Sequence, residues 1–114
     1  MATSVGEGDV IQVNLDPTFG AEIRKSRPAV VVSTNFINDH FPVVVVCPIS
    51  GYKGKASKAF IFVPQGEGGL TKDSVVVCGQ PRGLDKSRIV SVLGKLPPSR
   101  LKEVREGLRY ILGI

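Results

Sequence analysis

The sequence has few of the residues on which metal sites and disulfide frameworks depend. Its 114 residues include two cysteines, Cys47 and Cys78, and one histidine, His40. No Cys-x-x-Cys or Glu-x-x-His pattern brings metal ligands together, and two cysteines make no disulfide framework. We therefore predict no metal and no cofactor. We expect both cysteines to be small buried apolar residues and His40 to lie in a loop.

Long hydrophobic runs and aromatic residues are also scarce. No apolar segment approaches the ~20 residues of a membrane span, and the first nine residues lack the basic and apolar regions of a secretory signal. Aromatic residues make up 6% and tryptophan is absent, so the core is expected to consist of Val, Ile and Leu. We predict one cytoplasmic domain over residues 1–114, with reduced thiols and no membrane contact.

Short β-branched segments dominate the first ninety residues. The alternation over Val10–Leu15 predicts a half-buried strand, and the continuous runs Ala29–Val32 and Val43–Val46 predict strands buried on both faces. Three more strands are predicted, at Phe60–Val63, Val75–Cys78 and Ile89–Leu93.

The C-terminal residues change to a helical period. Pro98 suits a first helical turn, and close packing is the expected reason for Gly107 inside the helix. The apolar face is predicted to carry Leu101, Val104, Leu108 and Ile111. The chain is thus predicted to be mainly β with a C-terminal helix, as a small barrel or a curled sheet capped by that helix.

Positive charge exceeds negative charge, with a net charge of +5, and this balance suits a polyanionic partner. The excess is concentrated in two predicted loops. The first carries Arg24, Lys25 and Arg27, and the second carries Lys53, Lys55 and Lys58. The glycine-rich stretch 66–69 lacks the Lys-Ser/Thr ending of a phosphate-binding loop, so a turn is predicted there.

Several short motifs occur in a fixed order along the chain. They are Gly8-Asp9-Val10-Ile11, Leu15-Asp16-Pro17, Gly20-x-Glu22, Arg27-Pro28-Ala29-Val30-Val31-Val32, Val46-Cys47-Pro48-Ile49-Ser50, Asp73-Ser74-Val75-Val76 and Gln80-Pro81-Arg82-Gly83-Leu84-Asp85-Lys86-Ser87-Arg88-Ile89. Over about residues 8–112 this set resembles the MazF/PemK toxins. These are ribosome-independent, mRNA-cleaving endoribonucleases of type II toxin–antitoxin systems.

The resemblance implies an SH3-like barrel that forms a homodimer and is inhibited by a cognate acidic antitoxin. It assigns catalysis to Arg27 and Ser50. Ser50 stands where many members have Thr, and it retains the hydroxyl. Pro81 stands where an aliphatic residue is usual, and it removes one backbone N–H.

The implied reaction uses the 2′-OH of RNA as the nucleophile, so the enzyme needs only geometry and charge. A guanidinium holds two phosphate oxygens at once, and the products are a 2′,3′-cyclic phosphate and a 5′-OH. We expect single-stranded RNA to be the substrate, because its bases are accessible. The residues predicted to bind it are Arg24, Lys25, Tyr52, Lys53, Lys55, Lys58, Gln80 and Arg82.

Two other functions fit the same sequence pattern. A gyrase poison of the CcdB type shares this fold, but it binds its target through a C-terminal Trp, which this chain lacks. A non-catalytic RNA-binding barrel would use the same basic loops, and only an activity assay separates it from a nuclease.

Overall fold

The computed structural model describes residues 4–17, 19–22 and 26–114. The strands within them are β1 (Asp9–Asn14), β2 (Ser26–Val31), β3 (Val43–Gly51), β4 (Phe60–Val63), β5 (Ser74–Val77), β6 (Arg82–Asp85) and β7 (Ile89–Lys95). The helices are α1 (Asn35–His40) and α2 (Pro98–Leu112), with 3₁₀ turns at Glu67–Gly69 and Lys86–Arg88. In the described part of the chain, no helix is long and apolar enough to cross a membrane.

The strands form one curled antiparallel sheet in the order β4-β5-β3-β2-β1-β7, and β6 also pairs with β3. β3 serves three neighbours: its first four residues pair with β6, its middle pairs with β2 and Ile49–Gly51 pair with β5. The sheet is not closed, since β4 and β7 each pair on one side only among the described residues. The predicted mainly β fold with a C-terminal helix is confirmed.

Successive residues of β1 and β2 point into two separate hydrophobic clusters. Val10 and Val30 lie in a cluster that includes Leu96 and Val104 of the C-terminal segment. The next residues, Ile11 and Val31, lie in a second cluster that includes Leu84. β2 is therefore buried on both faces over Ala29–Val31, whereas β1 follows the predicted half-buried alternation beyond Val10, with Ile11 and Val13 buried, Gln12 half-buried and Asn14 exposed.

The prediction for the second valine run is partly wrong. Val44 and Val46 are fully buried, whereas Val43 is 39% exposed and Val45 is half-buried. The reason is that this part of β3 packs only one face on the core, so alternate side chains point outward. In the first run, Ala29, Val30 and Val31 are fully buried, as predicted, whereas Val32 is half-buried and follows the end of β2.

Two elements have no counterpart in the sequence predictions. β6 contains a single buried apolar residue, Leu84, which is too weak a pattern to predict a strand. α1 ends at His40, which was expected in a loop, and this helix is held by polar contacts. Ser33 Oγ donates to Asn38 Oδ1 at 2.5 Å, and Asn38 Nδ2 donates to the Ser33 carbonyl at 3.0 Å.

The C-terminal helix packs as its spacing predicts over three of its four turns. Leu101 and Val104 are buried, and Leu108 packs against the same cluster, whereas Ile111 is 39% exposed. A Cβ on Gly107 would lie 2.7 Å from the Lys58 carbonyl oxygen. Close packing at Gly107 is thus confirmed.

Candidate active site

The register of β2 and β3 brings Arg27 and Ser50 opposite each other. The paired residues are Ala29 with Pro48 and Val30 with Cys47, and the same antiparallel register continued outward sets Arg27 against Ser50. The ladder stops before this point, next to Pro28, which has no N–H to donate. Although a loop is predicted there, Arg27 lies in β2, paired with Val13 of β1 and two residues beyond the last β2–β3 pair.

A cleft of about 220 Å³ occupies the gap between these strand ends. We call it the Arg27 cleft, and its lining includes Arg27, Pro28, Ser50, Gly51, Lys72 and Ser74. The Arg27 and Ser50 side chains are both half-buried, so they are supported by the protein and still open to a ligand. Arg27 also interacts with another group of the protein.

A larger groove of about 770 Å³ begins at Ser50 on the other side. We call it the lysine groove. Lys53, Lys55 and Gln80 line it together with apolar Phe60, Val75 and Val77. Ser50 and Gly51 line both cavities, so the groove and the Arg27 cleft lie next to each other at the end of β3. Phe60 is 46% exposed there, which leaves an aromatic face open to a flat ligand.

Arg82 and Gln80 line a third cavity of about 260 Å³ beside Leu15. Arg82 Nη1 donates to the Leu15 carbonyl at 3.0 Å. Arg88 Nη1 donates to the Asn14 and Asp16 carbonyls nearby. These two arginines fix the segment where the loop between β1 and β2 begins. A guanidinium has five N–H donors, so Arg82 retains donors beyond the Leu15 contact.

Neither Tyr52 nor Lys58 lines the Arg27 cleft or the lysine groove. The Tyr52 ring contacts Phe62 edge to face, with the ring centroids 4.7 Å apart, and its side chain is 39% exposed. Lys58 turns toward α2, where its Nζ lies 5.5 Å from the centre of the Tyr110 ring. Lys58 is therefore separated from the two lysines next to it in sequence. Arg24 and Lys25, the remaining predicted RNA-binding residues, lie outside the described residues.

Lys72 is a cleft residue that the sequence predictions missed. It immediately precedes β5 and lines the cleft with Arg27 and Ser50. The signal available in the sequence was its position next to the Asp73-Ser74-Val75-Val76 motif. That signal was weak because a lone lysine before a strand is usually a solvated surface residue.

The two cysteines are placed in the core, as predicted. Burial raises the pKa of the Cys47 thiol to about 12 and that of Cys78 to about 11, so both stay protonated at neutral pH and neither is a ready nucleophile. In the part of the chain that the structure describes, no cluster of three or more His, Cys, Asp or Glu residues could hold a metal ion.

A protein family and a known protein match this sequence over most of its length. The model of the family described as "PemK-like, MazF-like toxin of type II toxin-antitoxin system" matches residues 6–112. The chain is 33% identical over 108 residues to the endoribonuclease MazF of Staphylococcus saprophyticus, covering 94% of this chain and 90% of the relative.

Solved structures show the same similarity. MazF from Deinococcus radiodurans superposes with a TM-score of 0.85 at 28% identity, covering 98% of this chain and 99% of that one. The MazF chain of a MazE–MazF complex from the same organism (Form-III) superposes with a TM-score of 0.74 at 27% identity, covering 97% and 98%. The family match spans nearly the whole chain and the fold agrees throughout, so this protein belongs to the PemK/MazF toxin family of type II toxin–antitoxin systems.

Proposed function

We propose that this toxin is a sequence-specific, metal-independent endoribonuclease that cleaves single-stranded mRNA. The observation that carries the proposal is the Arg27 cleft, in which a guanidinium and a hydroxyl from adjacent strand ends share one cavity. The name of the staphylococcal relative, an endoribonuclease, supports the same activity. Arg27 and Ser50 are the proposed catalytic residues.

In the proposed reaction the RNA supplies its own nucleophile. The 2′-OH loses its proton to solvent as its oxygen attacks the adjacent phosphorus and the bond to the 5′-oxygen breaks. That oxygen takes a proton from solvent and leaves as a 5′-OH while a 2′,3′-cyclic phosphate forms. Negative charge grows on the non-bridging oxygens in the transition state. Arg27 stabilises that charge with paired N–H donors, and Ser50 adds one hydrogen bond. One preorganised donor of this kind contributes about 3 kcal/mol.

The lysine groove is the proposed path of the RNA chain beside the cut site. Lys53 and Lys55 would neutralise phosphates there, and Gln80 would hydrogen-bond a base edge. The apolar lining around Phe60 suits an unstacked base, since stacking of a base on an aromatic ring contributes about 1–3 kcal/mol. Arg24, Lys25, Tyr52 and Arg82 complete the proposed RNA-binding set, and Lys58 is left out of it because its side chain lies against Tyr110 of α2.

A cognate antitoxin is the proposed protein partner, acting on a cytoplasmic homodimer of this single-domain chain. The similarity to a MazF crystallised with MazE supports a partner of that class. An acidic segment that inserts apolar side chains would match both features of the lysine groove. It would fold as it binds and block RNA by occupying the same surface.

The activity is tested by incubating the protein with a long single-stranded RNA in excess EDTA and sequencing the new 5′ ends. We expect cuts at one short base motif, with cyclic phosphate and 5′-OH termini. DNA of the same sequence stays intact because it lacks the 2′-OH. An Arg27→Ala preparation purified in parallel controls for contaminating nucleases. A requirement for magnesium, or cleavage of DNA, would refute the mechanism.

The partner is tested with an acidic peptide from the adjacent reading frame and an RNA that carries a 2′-deoxy residue at the cut site. Mutual displacement of peptide and RNA is expected, and charge reversal at Lys53 and Lys55 should weaken both. Simultaneous binding of the two ligands would refute a shared surface.

A further inference from the structure

We propose that Lys72 is a third catalytic residue, whose ammonium group contacts the same scissile phosphate as Arg27 and Ser50. This inference rests on the proposed function, because it assigns one more contact within the same cleft. It concerns a residue that neither the sequence motifs nor the charge pattern selected.

The Lys72 side chain folds back over the end of β3. Its Nζ lies 3.3 Å, and its Cε 3.5 Å, from the position that a Cβ would occupy on Gly51. Gly51 directly follows Ser50, and both residues line the cleft with Lys72 and Arg27. A glycine at this position leaves the space through which the ammonium group reaches the cleft.

Three hydrogen bonds, made by Lys72 and the next residue, Asp73, hold the backbone that carries the Lys72 side chain. Ser74 Oγ donates to the Lys72 carbonyl at 2.9 Å, and Ser74 is itself buried. Asp73 accepts a hydrogen bond from the Gln65 N–H on its side chain at 2.9 Å. Its carbonyl accepts another from the Tyr52 N–H at 3.0 Å. The start of the Lys72 side chain is therefore fixed although its tip is exposed.

Lys72, like most of the described lysines, forms no ion pair within the described residues. Arg100 and Arg105 each form an ion pair with a glutamate, and Lys95 lies 3.7 Å from Asp9. Among residues 4–17, 19–22 and 26–114, no carboxylate oxygen lies within 4.0 Å of Lys72 Nζ. Its charge is thus not neutralised by the described part of the protein and is available to an anion that enters the cleft.

The two cations of the cleft suit different parts of one phosphate. The planar guanidinium of Arg27 can bind two oxygens side by side, whereas an ammonium group is a compact point charge with three donors. As cleavage proceeds, negative charge also grows on the departing 5′-oxygen. A guanidinium that is bound to the non-bridging oxygens does not neutralise that charge. A second cation in the cleft stabilises this additional charge in the transition state.

The test compares Lys72→Gln and Lys72→Arg with Lys102→Gln. Lys102 is exposed on α2, so its substitution removes the same charge without touching the cleft. Two quantities are measured for each variant. One is the single-turnover cleavage rate of a short RNA at saturating protein, and the other is the Kd of the same RNA with a 2′-deoxy residue at the cut site.

We expect Lys72→Gln to lower the single-turnover rate at least about tenfold and to change the Kd by less than about threefold. Lys72→Arg should recover most of the rate because it restores the charge, and Lys102→Gln should match the wild type. Equal rates for Lys72→Gln and Lys102→Gln would overturn the assignment. A loss confined to the Kd would also overturn it, since that result places Lys72 on a flanking phosphate.

The wild type and Arg27→Ala are measured beside these variants. If the wild type does not cut RNA, or if Arg27→Ala cuts as fast as the wild type, the proposed function itself fails. If both behave as expected and only Lys72→Gln is normal, the inference on Lys72 alone is wrong.

Discussion

The backbone is closely packed at the 3₁₀ turn Glu67–Gly69, whereas a cleft opens at the ends of β2 and β3. At the turn, a Cβ on Gly69 would lie 2.1 Å from the Leu93 carbonyl oxygen, and one on Gly94 would lie 2.7 Å from the carbonyl carbon of Gly68. At the strand ends the ladder stops, and a cleft of about 220 Å³ opens beside Arg27.

This contrast separates the part of the fold that resists change from the part that is built to meet a ligand. Close backbone contact stabilises the structure. Because it leaves no room for side chains, such a region offers no functional group to a ligand. The open strand ends do the reverse, because they expose polar side chains held by strands whose centres are buried. Substitutions in the closely packed turn should therefore lower stability, whereas substitutions at the strand ends should lower activity.

The largest effect is expected for Gly69→Ala, which should lower the free energy of unfolding by more than about 3 kcal/mol. The added methyl meets the Leu93 carbonyl, and Gly69 has a φ of +74°. Gly66→Ala is the matched control, because Gly66 has a φ of +96° and nothing within 4 Å of a new Cβ. That control should cost only about 1–2 kcal/mol. Equal costs in urea denaturation would show that the close contact is unimportant.

Arg27→Ala should lower the cleavage rate at least about 100-fold while the protein stays folded. The loss arises in the transition state, so binding of a 2′-deoxy RNA should be almost normal. Single-turnover kinetics and a thermal unfolding curve on the same sample check both parts. A rate near that of the wild type would remove Arg27 from the mechanism.

Ser50→Ala should lower the rate less, by about tenfold, because one hydroxyl donor to a charged phosphate contributes about 1.5 kcal/mol. Ser50→Thr should be nearly silent, since threonine keeps the hydroxyl. The pair is measured in the same kinetic assay. A Thr variant as slow as the Ala variant would show that the cleft does not use the hydroxyl.

Neutralising Lys53 and Lys55 together should reduce the salt dependence of RNA binding by about 1.4, since each phosphate contact adds about 0.7 to the slope of log K against log salt. Lys58→Gln is the control, because Lys58 lies against Tyr110 and away from the lysine groove. Titrations at several salt concentrations give the slopes. A larger change for Lys58→Gln would move the RNA path toward α2.

The smallest effect concerns Arg100, which ties α2 to the closely packed turn through two contacts with Glu67, at 2.9 and 3.1 Å. The hydrogen bond from Arg100 holds the pKa of the Glu67 carboxyl below its ordinary value of 4.5. Because this pKa is lower in the folded state, the stabilisation is present above pH 4.5 and is lost as the pH falls through the folded-state pKa.

Arg100→Met should therefore reduce stability by up to about 1 kcal/mol at pH 7, and by less in acid. Urea denaturation at pH 7 and pH 3 measures the difference. Because Arg100 also contacts Glu103, Glu103→Gln serves as the control. A constant difference at both pH values would indicate lost packing instead of a lost ion pair.

The sequence predicted the parts of this fold that depend on local pattern. The valine runs and the helical spacing after Pro98 identify elements from residues near one another in the chain. Gly107 predicts a close contact at its position in the helix, although the sequence does not say that the Lys58 backbone makes it. β6 was missed because its stability comes from pairing with β3, which its own residues do not reveal. α1 was missed because a buried polar contact of Asn38 replaces an apolar face.

The candidate site was less predictable because it is assembled from distant segments. Arg27 and Ser50 were selected through the family resemblance, and the register of β2 and β3 supplies the geometric reason for joining them. Lys72 required the path of its side chain over Gly51. Lys58 was grouped with Lys53 and Lys55 by spacing alone, but the chain turns toward α2 between them.

The cluster that joins Val30, Ile49 and Val76 to Leu96 and Val104 couples the cleft to the C-terminal helix. The strands that carry Arg27 and Ser50 bury one face against α2 and the segment before it. Because a closely packed core transmits strain, a loss of side-chain volume at Val104 would disturb the placement of the two proposed catalytic side chains from the opposite side of the core.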